Sequence, residues 1–184
     1  EALPEEAARE AVRLARRLAL PLEGYTADGG FFVEGDGPLL EAHQRLLGVE
    51  AEGADLLRLS SPLVRLQVLA EGEAPVERLL EALPRGLQAH VAESPKMPGV
   101  RFVSLTKEGV SKLSAARLVA EAYGLPLSEC AMVGDGENDL ELLRAVGVGI
   151  AMGNAPPSVK RAAQRVVAPV EACGLAEALR LLRG

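Results

Sequence analysis

Apolar residues near the start of the chain recur at helical spacing and then give way to shorter patterns. Ala8, Val12 and Leu18 fall on one face of a helix predicted over residues 3–20. Two short apolar segments follow on either side of an Asp-Gly-Gly turn, and they predict a β-hairpin over residues 22–34. The chain is therefore expected to open with a helix followed by a hairpin.

A two-residue alternation appears over residues 63–70, where apolar positions such as Leu66 alternate with polar ones such as Gln67. This period is typical of a strand with one buried and one exposed face. Further strands and helices at short spacing complete the pattern. Residues 1–103 are therefore predicted to form an α+β domain with a largely antiparallel sheet.

The second half of the chain has a different pattern, in which short runs of apolar residues alternate with amphipathic segments. Strands of this kind are typical of a parallel sheet with helices on both faces. The predicted strands are 130–133, 148–152 and 165–168, and the predicted helices are 112–123, 138–145, 155–163 and 175–182. The fold class is α/β, with a parallel-sheet domain over residues 104–184.

The charge of the chain excludes several classes of partner. Its 184 residues carry 20 basic and 26 acidic side chains, a net charge of −6. A basic nucleic-acid footprint and a polybasic membrane patch are therefore not expected. No run of about eighteen apolar residues is present, so no membrane span is predicted and a cytoplasmic location is expected.

The two cysteines and two histidines are interpreted as having no catalytic role. Cys130 and Cys173 lack metal-ligand spacing and are expected to be small buried apolar residues. His43 is placed on a polar helix face and His90 on the exposed side of a strand, so both are expected in solvent.

The strongest chemical signal is an apolar strand that runs into a glycine-flanked turn and a helix start over residues 131–140. Asp135 then lies at the carboxyl edge of the sheet, where open α/β folds bind ligands. Asp139 can face the same crevice, and Asn138 lies beside it. Such oxygen ligands suit a magnesium ion, although an isolated pair of this spacing is also typical of a helix cap.

This segment, GDGEND at 134–139, resembles the fourth motif of the haloacid dehalogenase-like phosphohydrolases. KEGVSK at 107–112 resembles the third motif of the Cof-type branch of that family. The runs at 148–155 and 159–163 match the same branch. The motifs cover residue 102 to the C-terminus, and the resemblance implies a partial Rossmann-like core with an α+β cap domain.

The resemblance implies a magnesium-dependent phosphatase that acts on a small phosphorylated metabolite through an aspartyl-phosphate intermediate. The resemblance implies that Lys112 is the motif lysine that neutralises developing charge. It also implies that Asp135 and Asp139 are the metal carboxylates, with Asp139 acting through a water or orienting Lys112. Asn138 would fix a loop or a water, and no organic cofactor site is expected.

The family's first motif, Asp-x-Asp-x-Thr, does not occur in the 184 residues, which begin at Glu1. The nucleophile is expected in a segment outside this chain, and the chain alone is expected to be inactive. Without that segment, the strand that ends at Asp135 would be an unpaired apolar edge. We expect this edge to pair with another chain or the fragment to be marginally stable.

Two other functions are compatible with the same motif. The phosphorylation domain of a P-type ATPase carries a similar Gly-Asp-Gly-x-Asn-Asp string, but Leu140 and Glu141 stand where that family has Ala-Pro. A non-catalytic module that binds phosphate and metal would explain the missing nucleophile. The retained Lys112, Asp135 and Asp139 argue against it.

Overall fold

The computed structural model describes residues 1–183, and the chain divides into two compact units, Glu1–Gly109 and Val110–Gly184. We call these unit 1 and unit 2. No helix within the described residues combines the length and hydrophobicity needed to cross a membrane.

Unit 1 contains three helices and six strands. In chain order they are α1 (Glu5–Arg17), β1 (Leu22–Thr26), β2 (Phe31–Glu34), α2 (Pro38–Leu47), β3 (Glu52–Gly53), β4 (Leu63–Glu71), α3 (Ala74–Glu81), β5 (Leu87–Ser94) and β6 (Met97–Lys107). The strands form one sheet in the order β3-β2-β1-β4-β6-β5, in which only the β2–β3 pair is parallel. The predicted hairpin and the largely antiparallel α+β sheet are confirmed.

Both faces of the unit 1 sheet carry apolar cores. One core joins α1 and α3 to Leu66 and Val68 of β4. The other lies under α2, where Leu40 packs with Leu69 and Phe102. The prediction that β4 has one solvent-exposed face was therefore wrong over its central residues.

The polar positions of β4 face a buried hydrogen-bond network. Gln67 is 6% exposed and its Nε2 donates to Glu23 Oε2 at 3.0 Å. His43, expected in solvent, is 7% exposed, and its Nδ1 lies 2.7 Å from Glu23 Oε1. The sequence pattern showed the polar faces of helix and strand correctly but not that α2 lies against the sheet. His90 is exposed, as predicted.

Unit 2 contains a three-stranded parallel sheet in the order β7-β8-β9. Its elements are α4 (Lys112–Ala122), β7 (Ala131–Gly134), α5 (Leu140–Ala145), β8 (Val148–Ala151), α6 (Pro157–Ala162), β9 (Arg165–Val166) and α7 (Gly174–Arg183). Leu143 of α5 and Val159 of α6 pack on one face of the sheet, and Ala178 of α7 packs with Ile150 on the other. The predicted parallel sheet with helices on both faces is confirmed.

The cysteines lie nearer the surface than expected. Cys130 is partly exposed just before β7, and Cys173 is exposed. Cys173 follows a single 3-10 turn with φ of 58°, in the left-handed region, which places it in a surface connection outside the core.

Candidate active site

The site in unit 2 is built where β7 ends. The strand stops at Gly134, Asp135 follows in a turn, and a short 3-10 turn over Glu137–Asp139 leads into α5. The carboxyl ends of the parallel strands lie at this edge of the sheet, where α/β folds bind ligands. The sequence therefore places its acidic motif at an edge that can hold a small ligand.

Asp139 is the buried centre of this site, with 2% of its surface exposed. Its Oδ2 accepts hydrogen bonds from the backbone N–H groups of Asp135 and Gly136, each at 3.1 Å. Its Oδ1 accepts from Lys112 Nζ at 2.5 Å. Both carboxylate oxygens are thus engaged, one by the turn and one by the lysine.

A glycine at position 134 makes room for this carboxylate. A Cβ added at Gly134 would lie 2.5 Å from Asp139 Oδ2 and 2.8 Å from Asp139 Cβ. Any larger residue there would push the carboxylate away from the turn. The first glycine of the motif is therefore needed for the close approach of Asp139 to the end of β7.

Lys112 is held at the first position of α4. Ser111 caps this helix, since its Oγ accepts the Ser114 N–H at 3.1 Å while Ser114 Oγ accepts the Ser111 N–H at 2.8 Å. The Lys112 side chain is 49% exposed. The ammonium group is therefore fixed by Asp139 on one side and open to solvent on another.

Asp135 is exposed and is held by Asn154, which lies in the run 148–155 and was not predicted to be a site residue. Asn154 Nδ2 donates to Asp135 Oδ2 at 3.1 Å, and Asn154 Oδ1 accepts the Val170 N–H at 3.2 Å. These two contacts fix which end of the amide faces the carboxylate. The position of Asn154 just beyond β8, at the same sheet edge as Asp135, is the signal that could have identified it.

Asn138 lies in the same turn and is exposed. Its Oδ1 would be 2.5 Å from a Cβ at Gly136, so the amide lies against the turn backbone. This contact explains a second glycine in the motif, and the assignment of Asn138 to a loop or a water stays a prediction.

The donor set fits a magnesium ion bound mainly by water and one carboxylate. No group of three or more His, Cys, Asp or Glu side chains able to hold a metal occurs in residues 1–183. Asp139 already has partners on both oxygens, whereas Asp135 is exposed and uses Oδ2 for Asn154. Because magnesium keeps several waters and commonly takes one or two protein carboxylates, Asp135 fits as its direct ligand.

The chain is similar in sequence to known hydrolases. The family model described as haloacid dehalogenase-like hydrolase matches residues 3–179. An HMP-PP phosphatase from Cronobacter sakazakii is 31% identical over 137 residues, which cover 72% of this chain and 48% of that protein. A phosphoglycolate phosphatase from Archaeoglobus fulgidus is 41% identical over 73 residues, covering 40% of this chain and 33% of that protein.

A solved structure shows the same fold over nearly the whole chain. It is a phosphatase of the haloalkanoate enzyme superfamily from Bacteroides thetaiotaomicron, with a TM-score of 0.77 and 27% identity. The alignment covers 97% of this chain and 65% of that one. The chain thus spans half or less of the two curated relatives and about two thirds of the solved structure.

Proposed function

The chain belongs to the haloacid dehalogenase-like hydrolase family, and from this premise we propose that the complete protein is a magnesium-dependent phosphatase of small phosphorylated metabolites. The resemblance to this family, predicted from the motifs, is confirmed. The assignment to its Cof-type branch stays a prediction. The observation that carries the proposal is the contact between Lys112 Nζ and Asp139 Oδ1 beside the exposed Asp135.

Lys112 supplies a positive charge whose position is set before substrate binds. Asp139 holds the ammonium group through one oxygen and the turn through the other. A fixed cation of this kind stabilises negative charge that develops on phosphoryl oxygens, at little cost in reorganisation. Asp139 is in this view a positioning residue.

Asp135 would hold the magnesium ion, with Asn154 keeping its carboxylate in place. Bound magnesium supplies Lewis-acid polarisation of a phosphoryl oxygen and neutralises part of the phosphate charge. Asn138 is proposed to fix the loop or a water there.

The covalent chemistry is assigned to an aspartate outside these 184 residues. Its carboxylate oxygen would attack phosphorus as the ester P–O bond breaks. A second aspartate, also outside these 184 residues, would give its proton to the leaving alcohol and then accept a proton from the attacking water. Water would then hydrolyse the aspartyl phosphate to aspartate and inorganic phosphate. We accordingly expect the 184-residue chain on its own to show no turnover.

The two units are assigned different roles. We propose that unit 1, expected from the sequence over residues 1–103, is a cap domain that sets substrate specificity. Unit 2, expected over residues 104–184, is proposed to be the C-terminal part of the core domain. The curated relatives named above are an HMP-PP phosphatase and a phosphoglycolate phosphatase, which supports a small phosphorylated substrate. The absence of nucleic-acid partners and the cytoplasmic location stay predictions.

The free edge of β7 supports the proposal that this sheet pairs with another chain. β7 is the terminal strand of the three-stranded sheet, and Met132 and Val133 within it are only partly buried. We expect the purified chain to associate with increasing concentration in sedimentation velocity, whereas a 19.3 kDa monomer at every concentration would contradict this.

The test is hydrolysis of p-nitrophenyl phosphate by the complete protein with magnesium. We expect turnover in the wild type, none with Asp135→Ala, and wild-type rates with Glu121→Ala, which removes an exposed carboxylate from α4. Activity unchanged by Asp135→Ala would overturn the metal assignment. No turnover in the complete wild type would favour the non-catalytic module.

The phosphatase is favoured over the phosphorylation domain of a P-type ATPase. The family match extends through unit 1 as well as unit 2, and the relatives named above are phosphatases.

A further inference from the structure

The unit 1 sheet carries polar side chains on the face against which α2 packs. The strand register places Tyr25 opposite Arg65 and Gln67 opposite Ser104. Thr106 is two residues from Ser104 and so shares its face. These side chains all lie on the sheet face opposite the core of α1 and α3. The face is therefore lined with hydrogen-bonding groups.

Tyr25 is held in place on this surface by its neighbours. Its ring stacks on Phe31, with ring centroids 4.9 Å apart and an interplanar angle of 13°. Its hydroxyl donates to Glu23 Oε2 at 2.9 Å. Burial, and then the neighbouring Glu23 carboxylate, raise the pKa of the Tyr25 hydroxyl. The ring is therefore held on one face by Phe31 and at its tip by a carboxylate.

Arg65 lies over the other face of the same ring, with its Cζ 3.9 Å from the ring centroid. A guanidinium stacked in this way is attracted to the ring and loses conformational freedom. The orientation of the Arg65 guanidinium is thus set in advance by the Tyr25 ring.

One donor of the Arg65 guanidinium has no acceptor within residues 1–183. Its Nε is buried and has no hydrogen-bond partner there. No carboxylate in that part of the chain forms an ion pair with it, in contrast to Arg101 on the same sheet, which pairs with Glu73 and Glu93. A buried donor without an acceptor is energetically unfavourable, so a ligand that accepted from it would gain that interaction.

The Glu23 carboxylate does not accept a hydrogen bond from Arg65 Nε, because its oxygens have other partners. Glu23 is fully buried, and its two oxygens already accept from Tyr25 and Gln67 and contact His43. Elsewhere on this face Gln88 Nε2 donates to Thr106 Oγ1 at 3.2 Å, a contact between two neutral groups. Arg65 is thus a cation that forms no ion pair within residues 1–183.

We propose that Arg65, positioned by Tyr25, is a binding site for an oxyanion of a small metabolite, either a carboxylate or a phosphate group. Both oxyanions present two oxygens that match the fork of a guanidinium. The proposal concerns residues of unit 1 only and does not rest on the proposed phosphatase function.

The test is an NMR titration of the 184-residue chain without magnesium, observing the arginine Nε–H signals. Malonate is the carboxylate probe and methyl phosphate the phosphate probe. We expect a saturable shift of the Arg65 Nε–H signal with at least one probe, and the probe that binds identifies the oxyanion. In Arg65→Gln, which lacks this signal, binding is followed on the backbone amide of Tyr25 and should be at least tenfold weaker. Arg85→Gln, at an exposed arginine of the same unit, should leave binding unchanged.

The same titration separates this site from the proposed active site. Asp135→Asn should leave the Arg65 shift unchanged even if it abolishes magnesium binding. An Arg65 signal that stays still with both probes would overturn the proposal. Equal affinity in the wild type and Arg65→Gln would overturn it as well, whatever the outcome for phosphatase activity.

Discussion

Lys112 Nζ lies 2.5 Å from Asp139 Oδ1, although the two residues are 27 positions apart in the sequence. The lysine side chain is 49% exposed and the aspartate 3% exposed. The buried partner therefore sets the position of the exposed one. A buried carboxylate that meets a cation and two N–H groups has its charge compensated from both sides.

Replacing Asp139 by asparagine should destabilise unit 2. An amide has one accepting oxygen in place of two and no charge to offer Lys112, so a backbone N–H or the ammonium loses its partner. We expect the free energy of unfolding to fall by about 1–3 kcal/mol, measured by urea denaturation. Glu121→Gln, an exposed change of the same kind, serves as control. Equal stabilities of the two variants would contradict the role given to Asp139.

Replacing Gly134 by alanine should disturb the same carboxylate from the other side. The added Cβ would fall 2.5 Å from Asp139 Oδ2, so the turn or the aspartate must move. A cost of about 1–3 kcal/mol is expected from overpacking at a buried site. Gly53→Ala is the matched control, because a Cβ there meets no atom within 4 Å. If Gly134→Ala were as stable as this control, the close approach would be unimportant.

Replacing Asn154 by alanine should weaken metal binding while leaving the fold intact. The variant loses the hydrogen bond to Asp135 Oδ2 and the acceptor of the Val170 N–H. Loss of a residue that orients a ligand typically reduces metal affinity by about 10–100-fold. Calorimetric titration with magnesium measures the affinity, and circular dichroism checks the fold. Unchanged affinity would show that Asn154 does not position Asp135.

Tyr25 should make the stability of the chain sensitive to alkaline pH. Its pKa is raised in the folded chain by burial and by Glu23. Below the unfolded value of about 10 the hydroxyl is protonated in both states, so its stabilising contribution is fully present there. That contribution is lost as the pH rises through the folded pKa. Stability should therefore fall above about pH 10.

The Tyr25→Phe variant provides the comparison for this prediction. It should show a smaller loss of stability over the same alkaline range, because it has no hydroxyl to ionise. With only two tyrosines in the chain, the difference in phenolate absorbance between wild type and variant reports Tyr25 directly. A Tyr25 that ionises at its ordinary pKa in the folded chain would refute the effect of burial.

The sequence predicted the elements of both units because their apolar periods differ, about 3.6 residues in helices and two in antiparallel strands. The turn of the motif could also be predicted, because the apolar residues of β7 stop at a glycine and acidic residues follow. Lys112 could be paired with this turn only through the family resemblance, because no periodicity relates residues 27 positions apart.

The buried network around Glu23 could not be predicted from local pattern. His43 and Gln67 have the polar character of surface positions, and only the packing of α2 on the sheet makes them interior. The role of Asn154 could not be predicted for a related reason, since its contacts to Asp135 and Val170 join separate turns. Local pattern reports which side of an element is polar, whereas tertiary packing decides whether that side meets water.

Magnesium titration of the 184-residue chain by calorimetry tests the central assignment most directly. We expect saturable binding in the wild type, and at least tenfold weaker binding in Asp135→Ala with Glu121→Ala unchanged. Since Asp139 has partners on both oxygens, the exposed Asp135 is the carboxylate on which this affinity depends. Equal magnesium affinity in the wild type and Asp135→Ala would contradict the account.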